Sequence, residues 1–332
     1  MINFNIGDVH PSVPHLFADI AELLVIVGYN DRGRLHKNDL LSVRQGGRIS
    51  PDVVDEEALE DARAPDDASR RDRYERQVED VWQQLSYRAS TLGQAYPFEL
   101  HGDEVRSRAE LSNSARVYRL LLACSRLRSF AASAGLAQRW ARFFTETCKV
   151  AARGLMPEHA SSSIRVFDAN SDDRRTFYGT DLRQALRVLG RQLGAHSIHE
   201  EECDKAGHAG DAGLDIVAAV EFGDGVPSSY AIVGQCGAQE TGWPKKTLEA
   251  YPVRYRSYFN VLLDWPTAMF TPVLYRDADG KWVDTQPASG VLLLDRVRII
   301  SLLSMVNAFD AVTNTEWLPQ FEETLAEFTA AT

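Results

Sequence analysis

Polar side chains that suit a metal site stand at the ends of two short apolar runs in this sequence. Asp215 opens the run LDIVAAVEF, and Gln235 lies near the end of the run YAIVGQCG. Two lysines, Lys245 and Lys246, follow a few residues later. Carboxylate and amide oxygens are ligands for Mg²⁺, and a lysine can stabilise the negative charge that develops on a phosphate. These residue types therefore suit metal-dependent hydrolysis of a phosphodiester.

Two predicted strands position the acid and the amide. Both runs are apolar and contain β-branched residues, and the segment EFGDGVPSS between them has the glycines and proline of a turn. In an antiparallel hairpin, the start of the first strand lies opposite the end of the second. We therefore expect Asp215 and Gln235 to lie across from each other at one end of a sheet.

The first half of the chain is predicted to be helical. Apolar residues at helical spacing predict a helix in FADIAELLVIVGY, with Asp19 and Glu22 on its other face, and several helices within residues 74–156. A short helix is expected after NDRGRLH, capped by Asn38 or Asp39. This helix–turn–helix pattern could belong to a winged-helix DNA reader, but a small packing module is favoured.

The second half alternates strands and helices, which predicts an α/β fold. Further strands are expected in SSIRVFDA, AMFTPVLY and GVLLLDR, and helices in TDLRQALRVLGRQLGA, LEAYPVRYRSYFNVLL and EWLPQFEETLAEFTA. Thr180 or Asp181 would cap the first of these helices. We predict three parts: a small helical module with an acidic linker (1–75), a helical region (76–156), and a mixed sheet flanked by helices (157–332).

The predicted hairpin also resembles a known family. GDAGLDIVA followed by VGQC resembles the PD-(D/E)xK restriction-endonuclease-like superfamily, above all its Mrr-like members, in which the second strand ends in Q-x-K. The resemblance implies a restriction-endonuclease-like sheet in which Asp215 and Gln235 bind the metal ion. A glutamate from a preceding helix often joins them in that superfamily, which implies Glu146 as a third ligand, with Asp181 as the alternative. For each of these two acids, a solvated helix charge or a cap is the favoured interpretation.

The catalytic lysine departs from the family pattern, because Gly237 stands where Q-x-K would place it. The stretch QCGAQETGWPKK is instead similar to nuclease-like proteins of bacterial defence loci, in which a W-x-x-K motif follows the strand. This similarity matches Trp243 and Lys246, and implies that Lys246 is catalytic, with Lys245 as the alternative.

The resemblance implies a hydrolase: a Mg²⁺- or Mn²⁺-dependent endonuclease that cleaves DNA in bacterial restriction or anti-phage defence. A free-standing DNA-binding domain is usually basic, whereas this chain of 332 residues carries a formal net charge of −11. We therefore expect a protein partner, such as an ATPase or helicase-like subunit, to supply DNA engagement; a homo-oligomer stays open. The alternative is a catalytically inactive nuclease-fold subunit that acts as a scaffold or nucleic-acid sensor in a defence complex.

Composition and the remaining motifs exclude several other classes. The four cysteines lack CxxC spacing, the longest apolar runs are too short to cross a bilayer, and no signal peptide is visible, so a cytoplasmic protein without membrane association is expected. No Walker A, G-x-G-x-x-G or G-x-S-x-G motif is found. The segment HSIHEEECDKAGH does not have the ligand spacing of a zinc site. In YPVRYRSYF, arginines alternate with aromatic residues; stacking on unpaired bases is one interpretation, and core packing is favoured.

Overall fold

The computed structural model describes residues 2–6, 8–9, 13–30, 32–46, 48–49, 67–130, 135–158, 162–208 and 210–330. Its contacts divide the chain into two units. The first comprises Met1–Ala141, Val273–Val283 and Thr313–Thr332, and the second comprises Arg142–Pro272 and Asp284–Val312. Each unit thus combines separated stretches, whereas the parts predicted from the sequence are consecutive. No helix of the described residues is long and apolar enough to cross a membrane.

The first unit is mainly helical. Its helices are α1 (Pro14–Val27), α2 (Lys37–Gly46), α3 (Asp67–Leu92), α4 (Asn113–Ser125), the start of α5 (Leu136–Ala151) and α10 (Trp317–Glu327). Its strands are β1 (Ile2–Phe4), β2 (Asp8–Val9), β3 (Arg34–His36), β4 (Arg48–Ile49), β5 (Phe98–His101), β6 (Glu104–Ser107) and β14 (Phe328–Ala330). Strand β1 pairs with β14, β2 pairs with β4, and the remaining three form an antiparallel sheet in the order β3-β6-β5. The predicted helices of this region are therefore confirmed.

Helix α1 is buried on every side rather than on one face. All residues from His15 to Val27 are buried, including Asp19 and Glu22, so the prediction of a polar outer face is wrong. Both carboxylates pair with the buried guanidinium of Arg88: its Nη1 lies 2.7 Å from Asp19 Oδ1 and 3.0 Å from Glu22 Oε1. Buried charges persist in a core only when they are paired and hydrogen-bonded in this way.

Helix α2 begins at Lys37, two residues earlier than a cap at Asn38 would allow. Asp39 instead lies inside the first turn, where its carboxylate accepts a hydrogen bond of 3.0 Å from the backbone N–H of His36. This is the return bond of a capping box. The order α1, β3, α2, β4, α3 and the β5–β6 hairpin, with β3 paired to β6, matches winged-helix connectivity apart from the short β4. However, α3 carries as many acidic as basic residues, which gives it no net charge to attract phosphates.

The second unit is built on a mixed five-stranded sheet, so the predicted α/β character with a mixed sheet is confirmed. The strand order is β13-β12-β10-β9-β7, with antiparallel pairing between β7, β9 and β10 and parallel pairing between β10, β12 and β13. These strands are β7 (Ser162–Val166), β9 (Ile216–Val220), β10 (Ala231–Cys236), β12 (Thr267–Phe270) and β13 (Leu292–Leu294), and a two-stranded sheet joins β8 (Ser197–Ile198) to β11 (Phe259–Asn260).

Helices cover this sheet. They are α6 (Leu182–Gln192), α7 (Glu200–Lys205), α8 (Arg296–Met305) and α9 (Phe309–Thr313), with the end of α5. Leu186 and Leu189 of α6 pack with Val217 and Val233 of the hairpin in one apolar core. The helix predicted over LEAYPVRYRSYFNVLL is not formed: single turns at Trp243–Lys246 and Pro252–Tyr255 lead into β11.

Candidate functional site

The hairpin β9–β10 brings Asp215 and Gln235 together, as the spacing predicts. Gly234 pairs with Ile216 at the last position of the antiparallel register, and Asp215 and Gln235 are the next residues beyond that pair. The backbone N–H of Asp215 donates to Gly234 O at 3.0 Å. The backbone N–H of Cys236 donates to the Asp215 carboxylate at 2.7 Å, which fixes that side chain at the strand end.

Two further aspartates, Asp168 and Asp211, meet Asp215 at this end of the sheet. One carboxylate oxygen of each of the three lies within 4.8 Å of the others. Asp168 follows β7, whose continuation is held next to β9 by the 2.8 Å bond from Phe167 N–H to Asp215 O. Asp211 belongs to the turn before β9, where its carboxylate accepts a 2.9 Å bond from the N–H of Gly213. The end of β7 and the start of β9 therefore bring three carboxylates together.

The electrostatics of this cluster favour a cation. Burial raises the pKa of Asp215 from its ordinary value of 3.8 to about 7, since the residue is only 8% exposed. The hydrogen bond from Cys236 N–H lowers that pKa, the charges of Asp211 and Asp168 raise it further, and the charge of Lys246 lowers it. A bound divalent cation would favour the ionised form of Asp215 and offset the repulsion among the three carboxylates.

Gln235 adds an unpaired oxygen to the same end of the sheet. The residue is 5% exposed, and its Oε1 is buried without a hydrogen-bond partner among the described residues. Gln235 directly follows Gly234, whose carbonyl accepts the bond from Asp215 N–H, so the two residues lie at the same strand end. A buried polar atom without a partner is costly, and an amide oxygen is a suitable ligand for a hard cation. The donor set therefore fits Mg²⁺ or Mn²⁺.

Position 237, where the Q-x-K pattern would place a lysine, has no room for a side chain. A Cβ atom added to Gly237 would lie 2.7 Å from Trp243 Cβ and would overlap the Cε of Met269. Trp243 is 1% exposed and fills this space beside the strand end. The same tryptophan begins the turn Trp243–Lys246, which leads to Lys246. Lys246 is half-buried and acts electrostatically on Asp215, whereas its neighbour Lys245 is exposed.

A tyrosine joins this lysine-bearing segment to the aspartate turn. The hydroxyl of Tyr255 donates to Ala212 O at 2.7 Å and lies 3.1 Å from Glu249 O. Tyr255 is itself buried in the core of the unit. Glu249 also lies directly against Gly213, where an added Cβ would come within 3.0 Å of Glu249 Cβ. The turn that holds Asp211 and the segment that follows Lys246 are therefore packed together.

The structure does not gather Glu146 or Asp181 with these three carboxylates. Burial raises the pKa of Glu146, Lys149 lowers it, and the charges of Asp173 and Asp172 raise it, so its electrostatic neighbours lie outside the aspartate cluster. Asp181 is the N-cap of α6, and its carboxylate accepts from the backbone N–H of Arg183 at 2.9 Å. It serves as the cap that the sequence allowed.

The sequence analysis does not identify Asp168 or Asp211 as site residues, although the sequence contains a signal for both. Asp211 lies in the glycine-rich stretch GDAGLD, and Asp168 directly follows the predicted strand SSIRVF. Acids that flank strands gather only if those strands pair at that end, and the pairing of β7 with β9 was not predicted. The histidines and cysteine of HSIHEEECDKAGH form no metal-ligand group among the described residues.

No family model, no curated protein and no solved structure matches this chain.

Proposed function

We propose that the chain is a divalent-metal-dependent nuclease that cleaves DNA, with its active site at the joint ends of β7, β9 and β10. One observation carries the proposal: the carboxylates of Asp168, Asp211 and Asp215 meet at the end of the sheet where Gln235 has a buried, unpaired Oε1. Mixed pairing around a central hairpin supports a restriction-endonuclease-like sheet.

In this proposal Asp215 and Gln235 hold Mg²⁺ or Mn²⁺, and Asp168 and Asp211 supply further carboxylate oxygens. A divalent cation at such a site supplies Lewis-acid polarisation of the phosphate and a water of lowered pKa. Lys246 stabilises the negative charge that develops on the phosphate. The backbone N–H of Cys236 holds the Asp215 carboxylate in place, which reduces the reorganisation needed during the reaction.

The proposed setting rests on the sequence resemblance and on charge. Restriction or anti-phage defence in a bacterial cytoplasm follows from the resemblance alone. The net charge of −11 opposes unassisted binding to a polyanion, which supports a partner such as an ATPase or helicase-like subunit that brings the chain to DNA.

Cleavage assays test the proposal. Plasmid and single-stranded DNA are incubated with the purified chain in Mg²⁺, Mn²⁺ or EDTA, using wild type, Asp215→Asn, Lys246→Ala and the control Lys205→Ala, which removes an exposed lysine of α7. We expect metal-dependent cutting that is abolished by Asp215→Asn, falls about 10²- to 10³-fold in Lys246→Ala, and persists in Lys205→Ala. Cutting that survives in Asp215→Asn would refute the site.

A second candidate, the catalytically inactive scaffold or nucleic-acid sensor, is favoured by one observation: Gly237 cannot carry the lysine of Q-x-K. It is distinguished by calorimetry with Mg²⁺ or Mn²⁺ and by nucleic-acid binding. If the protein binds the metal and DNA but does not cut, the assays are repeated with the product of a neighbouring gene present. Binding without cutting in both cases would support this candidate over the nuclease.

A further inference from the structure

The segment between β10 and β11 presents exposed cations and an aromatic ring beside the aspartate cluster. Lys245, Tyr251 and Arg254 are all exposed, with Tyr251 at 41%. We call these three residues the basic–aromatic strip. Neither Lys245 nor Arg254 forms an ion pair with another described residue. From Trp243 to Tyr258 the chain carries four basic side chains and one acidic one, in a protein whose net charge is −11.

The sequence of the run YPVRYRSYF allows either stacking on bases or core packing. In the structure, part of this run is buried in the core and part of it is exposed. Tyr255 and Phe259 are buried in the core of the second unit, as the favoured interpretation required. Tyr251, in contrast, is not part of that core and is exposed. Arg256 pairs with Asp264, so it is also accounted for by the fold. Packing thus leaves Tyr251 and Arg254 unexplained.

The backbone on either side of Tyr251 is fixed. Ala250 is fully buried, and its carbonyl accepts hydrogen bonds of 3.2 Å from Trp265 Nε1 and 3.2 Å from Thr267 Oγ1. On the other side, the backbone N–H of Arg254 donates to Tyr251 O at 3.1 Å. An exposed aromatic residue on such an anchored backbone loses little conformational entropy when a ligand stacks on it.

The strip is close to the proposed metal site. Gly213, which stands between Asp211 and Asp215 in the sequence, packs against Glu249. Tyr251 follows Glu249 by two residues, so the Cα atoms of Glu249 and Tyr251 are at most about 7 Å apart. A nucleic-acid strand whose phosphate sits at the aspartates would therefore bring an adjacent nucleotide to Tyr251. Lys245 directly precedes Lys246, whose charge acts on Asp215.

We propose that Tyr251 stacks on an unpaired base of the substrate while Lys245 and Arg254 contact the flanking phosphates. A base inside a duplex is covered by its neighbours on both faces, so stacking on Tyr251 requires a strand that is single at the cleavage site. Aromatic stacking combined with basic contacts to the backbone is the general mode of single-strand recognition. This proposal rests on the proposed nuclease function and names its substrate class.

The test measures binding by fluorescence anisotropy, with labelled single-stranded DNA, RNA of the same sequence and the DNA duplex, in EDTA and in Ca²⁺. The variants are Tyr251→Ala, Tyr251→Trp, and the control Tyr230→Ala, which removes a tyrosine of similar exposure (38%) at the opposite end of β10. We expect Tyr251→Ala to weaken single-strand binding about 5- to 150-fold, Tyr251→Trp to restore it, and Tyr230→Ala to leave it unchanged. The DNA and RNA arms identify which strand is preferred.

Several outcomes would overturn the proposal. Single-strand binding that is unchanged in Tyr251→Ala would do so, as would an equal loss of duplex and single-strand binding. Self-association lost in Tyr251→Ala without any change in nucleic-acid binding would assign the strip to a protein contact instead. Metal-dependent cutting in Tyr251→Ala with wild-type kcat and KM would reject the strip while the nuclease function stands; absence of cutting and of metal binding in wild type would reject the nuclease itself.

Discussion

Replacing Asp215 by Asn should stabilise the metal-free protein, and the gain should grow with pH. The pKa of Asp215 is about 7 in the folded chain against an ordinary value of 3.8 in an unfolded one, so the folded state binds this proton more tightly. Below the unfolded pKa both states hold the proton and no penalty exists. Between the two pKa values only the unfolded chain is ionised at this residue, so the stability of the folded protein falls as the pH rises. Above the folded pKa the full penalty of about 4 kcal/mol remains.

The asparagine side chain has no charge to desolvate and keeps an oxygen that can accept the bond from Cys236 N–H. The free energy of unfolding of Asp215→Asn should therefore exceed that of wild type by up to about 4 kcal/mol near pH 8 and by about 2 kcal/mol near pH 5. Urea denaturation in EDTA at the two pH values measures this difference. The matched control is Asp224→Asn, because Asp224 is an exposed carboxylate that accepts a turn bond from Val226 N–H.

Mg²⁺ should reduce the difference in stability between the two proteins. A ligand that binds only the folded state adds stability in proportion to the logarithm of its concentration, so wild type should gain stability with Mg²⁺ and Asp215→Asn should gain much less. If Asp215 were merely a turn residue at the start of a strand, its replacement would be neutral or destabilising at every pH. A variant less stable than wild type in EDTA near pH 8, or a pH-independent difference, would refute the argument.

Two further predictions concern packing. Gly237→Ala should lower the free energy of unfolding by about 1 to 3 kcal/mol, because the new Cβ must displace both Trp243 and Met269; a urea midpoint equal to that of wild type would show that these side chains yield without cost. Arg88→Met should cost about 3 to 5 kcal/mol, because it leaves the two buried carboxylates of α1 without a cation; in the same assay, a loss below about 1 kcal/mol would contradict that pairing.

The part of the site that the sequence predicted is the part encoded locally. The hairpin of β9 and β10 follows from its two apolar runs and from the turn residues between them, and its register ends next to Asp215 and Gln235. Asp168 depends on the pairing of β7 with β9, between segments some fifty residues apart, and no local pattern specifies such a pairing. The resemblance implies Glu146 as a ligand, but the charges that act on Glu146 are those of Lys149 and Asp173 rather than those of the aspartate cluster.

The errors in the fold have a similar origin. Asp19 and Glu22 have the spacing of a polar helix face. Their burial depends on pairing with Arg88, which lies far along the chain, so the sequence of α1 alone does not predict it. The segment after Lys246 has enough apolar residues for a helix, yet tertiary hydrogen bonds to its carbonyls hold it in single turns. These include the bond from Trp265 Nε1 to Ala250 O, and they show that contacts distant in sequence override local propensity.

The occlusion of Gly237 makes the two arrangements of the lysine mutually exclusive. A lysine at 237 needs the volume that Trp243 occupies, while Trp243 opens the turn on which Lys246 stands. If Lys246 is catalytic, no single substitution can move the ammonium from one place to the other, since every intermediate lacks either the space or the turn. Exchange between the two versions of the site would then have to cross a fitness valley in which stability and activity are lost together.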